Sequence, residues 1–308
     1  MPAANQLANR IARDQVGYAY DASVQPVLTV DPGTVVLFET QDARGGSMFV
    51  NPPGQLVDLP RPIPGRGNPV TGPLAVRGAR PDDALVVDVL AIRTISPGWC
   101  GGHAHVHPLA AGRIPRARGR VCEVSRGEVH FSPTIVLDEQ PMIGCIATAP
   151  AGEPINCGKP ARCGGNLDHK VIAVGARVYL PVSVTGGLLW IGDVHAQQGD
   201  GELSGTAVEI AADVEVRVDI VKDLALRWPW VETHDRLMSI SVSLDFAEAR
   251  REAVESMMLA LEHQLGLEPA EALALISAVG DLRIGQAFGG MEMTLRLEMP
   301  RSLGVRPE

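Results

Sequence analysis

An apolar run in the middle of the chain leads directly into a dense group of ionisable and amide side chains. Residues 187–190 read Gly-Leu-Leu-Trp, and residues 193–202 contain two aspartates, a glutamate, a histidine and two glutamines between glycines. Carboxylates and imidazoles beside core segments persist only when they are paired, hydrogen-bonded or bound to a metal. The fold must therefore close around a polar site at this point of the chain.

Asp193 and His195 are the central pair of this stretch. On extended backbone their i, i+2 spacing directs both side chains to one face of a strand, where an oxygen and a nitrogen ligand would hold one cation. Gly199 and Gly201 permit a sharp turn that returns Glu202 to that face. The alternative interpretation is a polar turn between two strands, which is common for such triplets.

The same stretch belongs to a series of blocks that carry a family resemblance. Residues 192–202 have the form G-D-x-H-A-x-Q-G-D-G-E and residues 205–209 read G-T-A-V-E. Further blocks in the same order are residues 38–46, 68–73, 164–168 and 279–284. With them the chain resembles the acetamidase/formamidase family over nearly its whole length. The resemblance implies a hydrolase of small carboxamides, a fold dominated by β-structure and a metal-assisted site.

The resemblance also brings Asp42 into the site. This residue follows a predicted strand and opens the glycine-rich loop 43–46, and by itself it is equally compatible with a solvated turn. In the site that the resemblance implies, Asp193, His195 and Asp42 hold a divalent metal, and the mixed nitrogen and oxygen ligands favour zinc. Asn166 is a further oxygen donor open to the same role.

Hydrolysis of a stable amide needs a polarised carbonyl, an activated nucleophile and a proton for the leaving amine. One divalent metal serves the first two needs, and we expect Glu202 to act as general base and then as acid toward ammonia. Asn166 or Gln198 would donate to the developing oxyanion. Asp168 and Asp200 are secondary acidic candidates.

Two other interpretations stay open. Cys163 directly precedes the 164–168 block, where many family members have histidine, and it would be the nucleophile of a cysteine-dependent amidase beside His195 or Glu202. A chain without catalytic activity would instead be a β-sandwich that binds a ligand. Its acidic motif would then hold a structural calcium ion, for which carboxylates and carbonyls suffice.

A second cluster contains His103, His105 and His107. In extended backbone the three imidazoles would share a face, and imidazole is a common ligand of zinc, copper and nickel. The flanking glycines and the following proline favour an irregular loop instead. We therefore treat the cluster as a candidate lid over the substrate or an adventitious metal site.

Composition narrows the classes of partner. The 27 Lys and Arg residues against 36 Asp and Glu residues give a net charge of -9, so we expect no nucleic-acid partner. No window is apolar enough to cross a membrane and no secretory signal is recognisable, so we expect a cytoplasmic enzyme. The 5 cysteines, without a C-x-x-C pair, indicate reduced thiols. The expected partners are a small amide and further copies of the chain, in a homodimer or higher homo-oligomer.

The fold class predicted from these patterns is mainly β. Residues 1–225 predict an antiparallel β-sandwich with long loops, including a hairpin of residues 27–30 and 35–38 and a half-exposed strand at 213–220, where valines alternate with charged residues. Residues 226–308 predict a small C-terminal α+β unit packed on the sandwich. Its first helix begins at Asp245 and ends at Gly266, and a second covers residues 269–279.

Overall fold

The computed structural model describes residues 9–49, 51–59, 63–102 and 112–308. Strands account for 44% of the structure and helices for 12%, which confirms the mainly β class. Of the residues that are described, neither helix is long and apolar enough to cross a membrane.

The first half of the chain contains short strands and one very long strand. They are β1 (Arg10–Ile11), β2 (Val16–Gly17), β3 (Ala19–Tyr20), β4 (Leu28–Val30), β5 (Thr34–Thr40), β6 (Leu56–Asp58), β7 (Val70–Val76), β8 (Ala84–Gly102), β9 (Arg118–Ser125), β10 (Glu128–Ser132), β11 (Ile135–Asp138) and β12 (Met142–Ala147).

The second half continues the sheet and adds both helices. Its elements are β13 (Ile155–Asn156), β14 (Pro160–Ala161), β15 (Gly164–Asn166), β16 (Arg177–Pro181), β17 (Leu189–His195), β18 (Glu209–Val221), β19 (Trp230–Glu232), β20 (Arg236–Ser243), α1 (Phe246–Leu265), α2 (Pro269–Val279), β21 (Asp281–Ile284) and β22 (Met293–Pro300), followed by a 3-10 turn at Arg301–Leu303.

Twenty of these strands form one curled, hydrogen-bonded sheet. The pair of β8 with β18 is its longest register and joins residues 84–99 to residues 209–221. Strand β18 also pairs with β5, and β8 with β16 and β9. All registers are antiparallel except those of β1 with β5 and β4 with β7. Strands β4 and β5 pair with these more distant partners rather than forming the local hairpin read from residues 27–38.

The main core is aliphatic, as the scarcity of aromatic residues requires. It contains valines, leucines and isoleucines from many strands, among them Val87, Ile143 and Ile191, each 0% exposed. The predicted alternation in β18 is confirmed, since Val214, Val216 and Val218 are buried while the charged residues between them face outward or lie half-buried. Burial of such side chains is the principal stabilising contribution to this sheet.

Both predicted helices are present with their predicted ends. The Asp245 carboxylate accepts a hydrogen bond from the Glu248 amide at the start of α1, and Gly266 ends α1 in the left-handed conformation. Helix α1 packs on β20 and β22 over a second core that includes Met257, Leu261 and Leu297. The division of the chain at residue 225 stays a prediction.

Strand β17 brings the polar stretch into the interior. All of its residues are buried, and it pairs with β12, β7 and the start of β18. The chain therefore delivers Asp193 and His195 at the end of a central strand, with other strand ends around them.

Candidate active site

Five ionisable side chains meet at the junction of β17 and β18. His195 lies opposite Glu209 in the register of these two strands, so the two side chains face each other. The imidazole Nε2 is 3.6 Å from Asp193 Oδ1 and 3.2 Å from Glu209 Oε2. The first distance confirms that the i, i+2 pair shares a face. Glu209 lies inside a family block but was not among the residues selected from the sequence.

Two groups of possible metal ligands share this imidazole. Asp168, Asp193 and His195 form one group, and His195, Glu202 and Glu209 form the other, with the ligand atoms of each group within 4.8 Å of one another. All five side chains are buried, with at most 7% of any residue exposed. We call these five residues the acidic cluster.

The acidic cluster contains polar atoms that nothing in the protein satisfies. Asp168 Oδ1, Asp193 Oδ1, His195 Nε2, Glu202 Oε2 and Glu209 Oε2 have no hydrogen-bond partner among the described residues. Leaving such atoms buried and unpaired is costly, and a cation would satisfy the atoms of one ligand group together. Ligands about 2.1 Å from a tetrahedral ion lie about 3.4 Å apart, close to the two distances from His195 Nε2.

Gln198 fixes which imidazole nitrogen is available. Its Nε2 donates to the carbonyl oxygens of Asp168, at 2.5 Å, and Gly285, at 3.5 Å, so the amide oxygen must face the opposite way. That oxygen accepts a 2.8 Å hydrogen bond from His195 Nδ1. In the neutral imidazole the Nε2 atom consequently carries the lone pair and points at Asp193 and Glu209, which is the arrangement of a metal-binding histidine.

Electrostatic repulsion within the cluster is strong. Burial, followed by the charge of Asp193, raises the pKa of Asp168 to about 7. Burial also raises the pKa of Glu209 to about 7, and burial with the nearby Asp168 raises that of Glu202 well above its ordinary value. Burial lowers the pKa of His195, but Glu209 and Asp193 outweigh it and raise that pKa well above the usual range. Asp168, Glu202 and Glu209 therefore hold protons more readily than ordinary carboxyl groups, and a cation beside them would oppose these pKa shifts.

The backbone of the cluster adopts conformations that L-residues rarely take. Asp168 has φ 49°, Asp193 φ 53° and Glu202 φ 40°, all in the left-handed region that favours glycine. Beneath them, a Cβ on Gly144 would lie 2.6 Å from Asp168 Oδ1 and 2.7 Å from the Asp193 carbonyl, so this position of β12 requires glycine. Strained backbone of this kind is typical of functional sites.

Amides surround and orient the carboxylates. Asn68 Nδ2 donates to Asp193 Oδ2 at 2.5 Å and to Asn166 Oδ1 at 3.3 Å. Asn166 Nδ2 in turn donates to Asp168 Oδ2 at 2.7 Å and to Gln286 Oε1 at 3.2 Å. Both N–H bonds of Asn166 are thus occupied, as are those of Gln198, so neither amide is free to donate to an oxyanion. Asn68 and Gln286 were not recognised from the sequence as site residues.

Two acids from the sequence analysis lie outside the acidic cluster. Asp42 belongs to neither ligand group, because its oxygens accept hydrogen bonds from Trp99 Nε1 at 3.0 Å and from the backbone amides of Arg44 and Gly46 at 3.0 and 2.6 Å. It shapes the 42–46 loop, which corrects its expected role as a ligand. Asp200 forms two 3.0 Å hydrogen bonds with Arg296.

The environment of Cys163 does not suit a nucleophile. Its side chain is 5% exposed and packs in an apolar cluster with Tyr20, Val70 and Trp190. Burial raises the pKa of the Cys163 thiol to about 12, so the nucleophilic thiolate is scarce at neutral pH. The other alternative site, His103 and His105, lies outside the described residues.

The acidic cluster opens into a cavity of about 320 Å³. Asp193, Glu202 and Glu209 line its floor, while Trp99, Phe288 and Met291 are apolar parts of its wall. A larger cavity of about 950 Å³ lies near the chain's C-terminal turn and is lined by none of the five cluster residues. Because residues of the acidic cluster line the smaller cavity, we identify that cavity as the candidate active site.

Comparison with known proteins gives consistent matches. The acetamidase/formamidase family model matches residues 8–154 and 147–288. An acetamidase structure from Bacillus halodurans superposes with a TM-score of 0.90 at 33% identity, covering 96% of this chain and 98% of that one. An acetamidase structure from Yersinia enterocolitica gives a TM-score of 0.85 at 30% identity, covering 94% and 90%.

Matches to curated sequences are more distant. A formamidase from Methylophilus methylotrophus is 27% identical over 269 residues, which is 68% of this chain. The chain spans 65% of the length of that formamidase and 64% of a relative from Schizosaccharomyces pombe.

Proposed function

The chain belongs to the acetamidase/formamidase family, and from this premise we propose that it hydrolyses a small carboxamide to a carboxylate and ammonia. The observation that carries the proposal is the set of five buried, unpartnered ligand atoms, three of whose residues line the floor of the cavity. Such a set has a physical reason only if a cation and a polar substrate complete it.

We assign the cation to Asp168, Asp193 and His195, one of the two groups whose ligand atoms all lie within 4.8 Å of one another. This choice leaves Glu202 free for proton transfer. One nitrogen and two oxygen ligands suit zinc, whereas calcium prefers oxygen ligands alone. When bound, the ion supplies Lewis-acid polarisation of the amide carbonyl and activation of water. Compared with the ligands expected from the sequence, Asp168 replaces Asp42.

Glu202 is the proposed acid and base. Its Oε2 lies free at the cavity floor beside the ligand set, where it can take a proton from the attacking water. It then returns the proton to the amide nitrogen as the C–N bond breaks and ammonia leaves. Burial and the charge of Asp168 raise the pKa of Glu202 well above its ordinary value, and such a carboxyl group holds a proton more readily than an ordinary one.

The neighbouring amides act as positioning residues. Gln198 holds His195 in one tautomer, while Asn166 and Asn68 hold Asp168 and Asp193. Their hydrogen bonds reduce the reorganisation needed during the reaction. The cysteine-dependent alternative has no support in the surroundings of Cys163. A cytoplasmic location and a homo-oligomer stay predictions.

The test is ammonia release from formamide and acetamide, together with metal analysis of the purified protein. We expect Glu202→Gln to lower kcat by at least about 100-fold with the metal retained, and His195→Ala to lose both the metal and the activity. Glu153→Gln, an exposed glutamate of a loop, is the matched control. Wild-type rates in both site variants would refute the assignment.

A further inference from the structure

Arg44 occupies the rim of the active-site cavity. It lines that cavity together with Asp193, Glu202 and Glu209, and it projects from the 42–46 loop that the Asp42 carboxylate holds in shape. Its guanidinium carbon lies 5.9 Å from the centroid of the Trp99 ring. The loop therefore presents a guanidinium to whatever enters the cavity.

The guanidinium of Arg44 is unusual because it is half-buried and has no hydrogen-bond or ion-pair partner among the described residues. Every other described arginine that is not exposed forms a side-chain hydrogen bond or an ion pair with an oxygen of the protein. These are Arg13, Arg118, Arg120, Arg236 and Arg296. The guanidinium at the cavity rim thus has five N–H groups that no oxygen of the described residues accepts and that are available to a ligand.

Balancing the charge of the acidic cluster does not explain this arrangement. Burial lowers the pKa of Arg44, and the carboxylates of Glu209, Asp42 and Asp193 act in the opposite direction. A guanidinium with a purely structural role would donate to one of these carboxylates, as Arg296 does to Asp200. Arg44 donates to none of them, so its hydrogen bonds remain available to a second anion.

The space around Arg44 is too large for a two-carbon amide. Arg44 also lines an adjoining cavity of about 360 Å³, together with Arg66 and Tyr18, and the Arg66 guanidinium stacks 3.8 Å from the centroid of the Tyr18 ring. Each cavity is within the volume range that holds molecules far larger than acetamide. Two guanidinium groups thus line the passage between the acidic floor and the outer chamber.

We propose that the substrate is an amide whose acyl side carries a carboxylate, and that Arg44 binds this carboxylate while the amide group faces Glu202. The inference rests on the proposed hydrolysis and specifies its substrate class. With succinamate, the monoamide of succinic acid, water adds to the amide carbon, the C–N bond breaks, and succinate and ammonia form. Arg44 is here a specificity-determining residue.

The test compares kcat/KM for succinamate and for pentanamide, an uncharged amide of similar length. We expect wild-type protein to prefer succinamate, and Arg44→Gln to lower the ratio of the two kcat/KM values about 10- to 100-fold, mainly through the KM of succinamate. Arg44→Lys should restore part of the ratio. Arg126→Gln removes an exposed arginine from the β9–β10 turn and should leave the ratio unchanged.

The results separate the two proposals. Hydrolysis of pentanamide and acetamide in preference to succinamate, with the same ratio in Arg44→Gln, would overturn the inference and leave the proposed function intact. If no amide is hydrolysed, the proposed function fails, and calorimetric titration with succinamate decides the inference. Binding that weakens at least about tenfold in Arg44→Gln supports it, and no difference in binding overturns it.

Discussion

Two buried groups of charged side chains lie close together in this protein and behave in opposite ways. In the first, Arg296 is 2% exposed, and its guanidinium donates to both oxygens of Asp200 at 3.0 Å and to Glu298 at 2.6 Å. In the second, the acidic cluster, each of the five side chains keeps one ligand atom without a partner. Asp200 belongs to the first group and Glu202, two residues later, to the second.

The difference shows how a structural charge network can be told from a functional one. Both groups contain carboxylates close to the core, so the presence of such carboxylates does not by itself separate them. What separates them is whether the protein itself supplies every hydrogen-bond partner. The Arg296 network is closed and contributes to the fold, whereas the acidic cluster is open, and we propose that a cation and a substrate supply its partners.

Removal of Arg296 should give the largest effect. In Arg296→Leu the carboxylates of Asp200 and Glu298 lose their counter-ion, and we expect the free energy of unfolding to fall by about 3 to 5 kcal/mol. Urea denaturation measures this change. Arg283→Leu, on the neighbouring strand and exposed, is the control and should change stability by less than about 0.5 kcal/mol. If the two substitutions lowered the free energy of unfolding equally, the Arg296 network could no longer be called a stabilising structural network.

Metal removal should come next in size. If the acidic cluster binds an ion present at 1,000 times its dissociation constant, chelation lowers the free energy of unfolding by about 4 kcal/mol. In Asp168→Asn the chelator should have little further effect, because a ligand is already lost. Thermal unfolding with and without chelator measures both quantities. Identical curves for the wild-type protein would mean that the open atoms do not bind an ion.

Gln198→Leu should have the smallest effect of the three. The substitution leaves all ligands in place but removes the acceptor that fixes the His195 tautomer, so we expect metal affinity to fall about 10- to 100-fold. Competition with a chromogenic chelator measures the affinity, and the exposed Gln25→Leu serves as control. An unchanged affinity would show that Gln198 belongs with the closed, structural group.

Local patterns were sufficient for much of the fold. Alternation predicted the face of β18, and Asp245 and Gly266 marked the ends of α1, because these properties depend on residues close in sequence. The hairpin read from residues 27–38 did not form, since β4 and β5 found long-range partners. Such pairing depends on the whole sheet and is not encoded in a single turn.

In the candidate site, too, the residues close in sequence could be predicted and those brought in by long-range pairing could not. Asp193, His195 and Glu202 lie in one stretch, and the strand period brings the first two together. Glu209 and Gln286 reach the site only through sheet registers, so spacing alone did not select them. Asp42 illustrates the opposite case, because a carboxylate beside glycines can organise its own loop as readily as a ligand site.

The left-handed backbone of Asp168, Asp193 and Glu202 lowers the stability of the fold, whereas the proposed catalytic activity needs these side chains. Glycine would adopt these conformations without steric conflict, but it would remove three carboxylates of the candidate site. A library that offers glycine at these positions, selected only for survival after heating, should therefore enrich it there and lose catalysis at the same time. A thermostability campaign on this enzyme should accordingly keep residues 168, 193 and 202 fixed and randomise elsewhere.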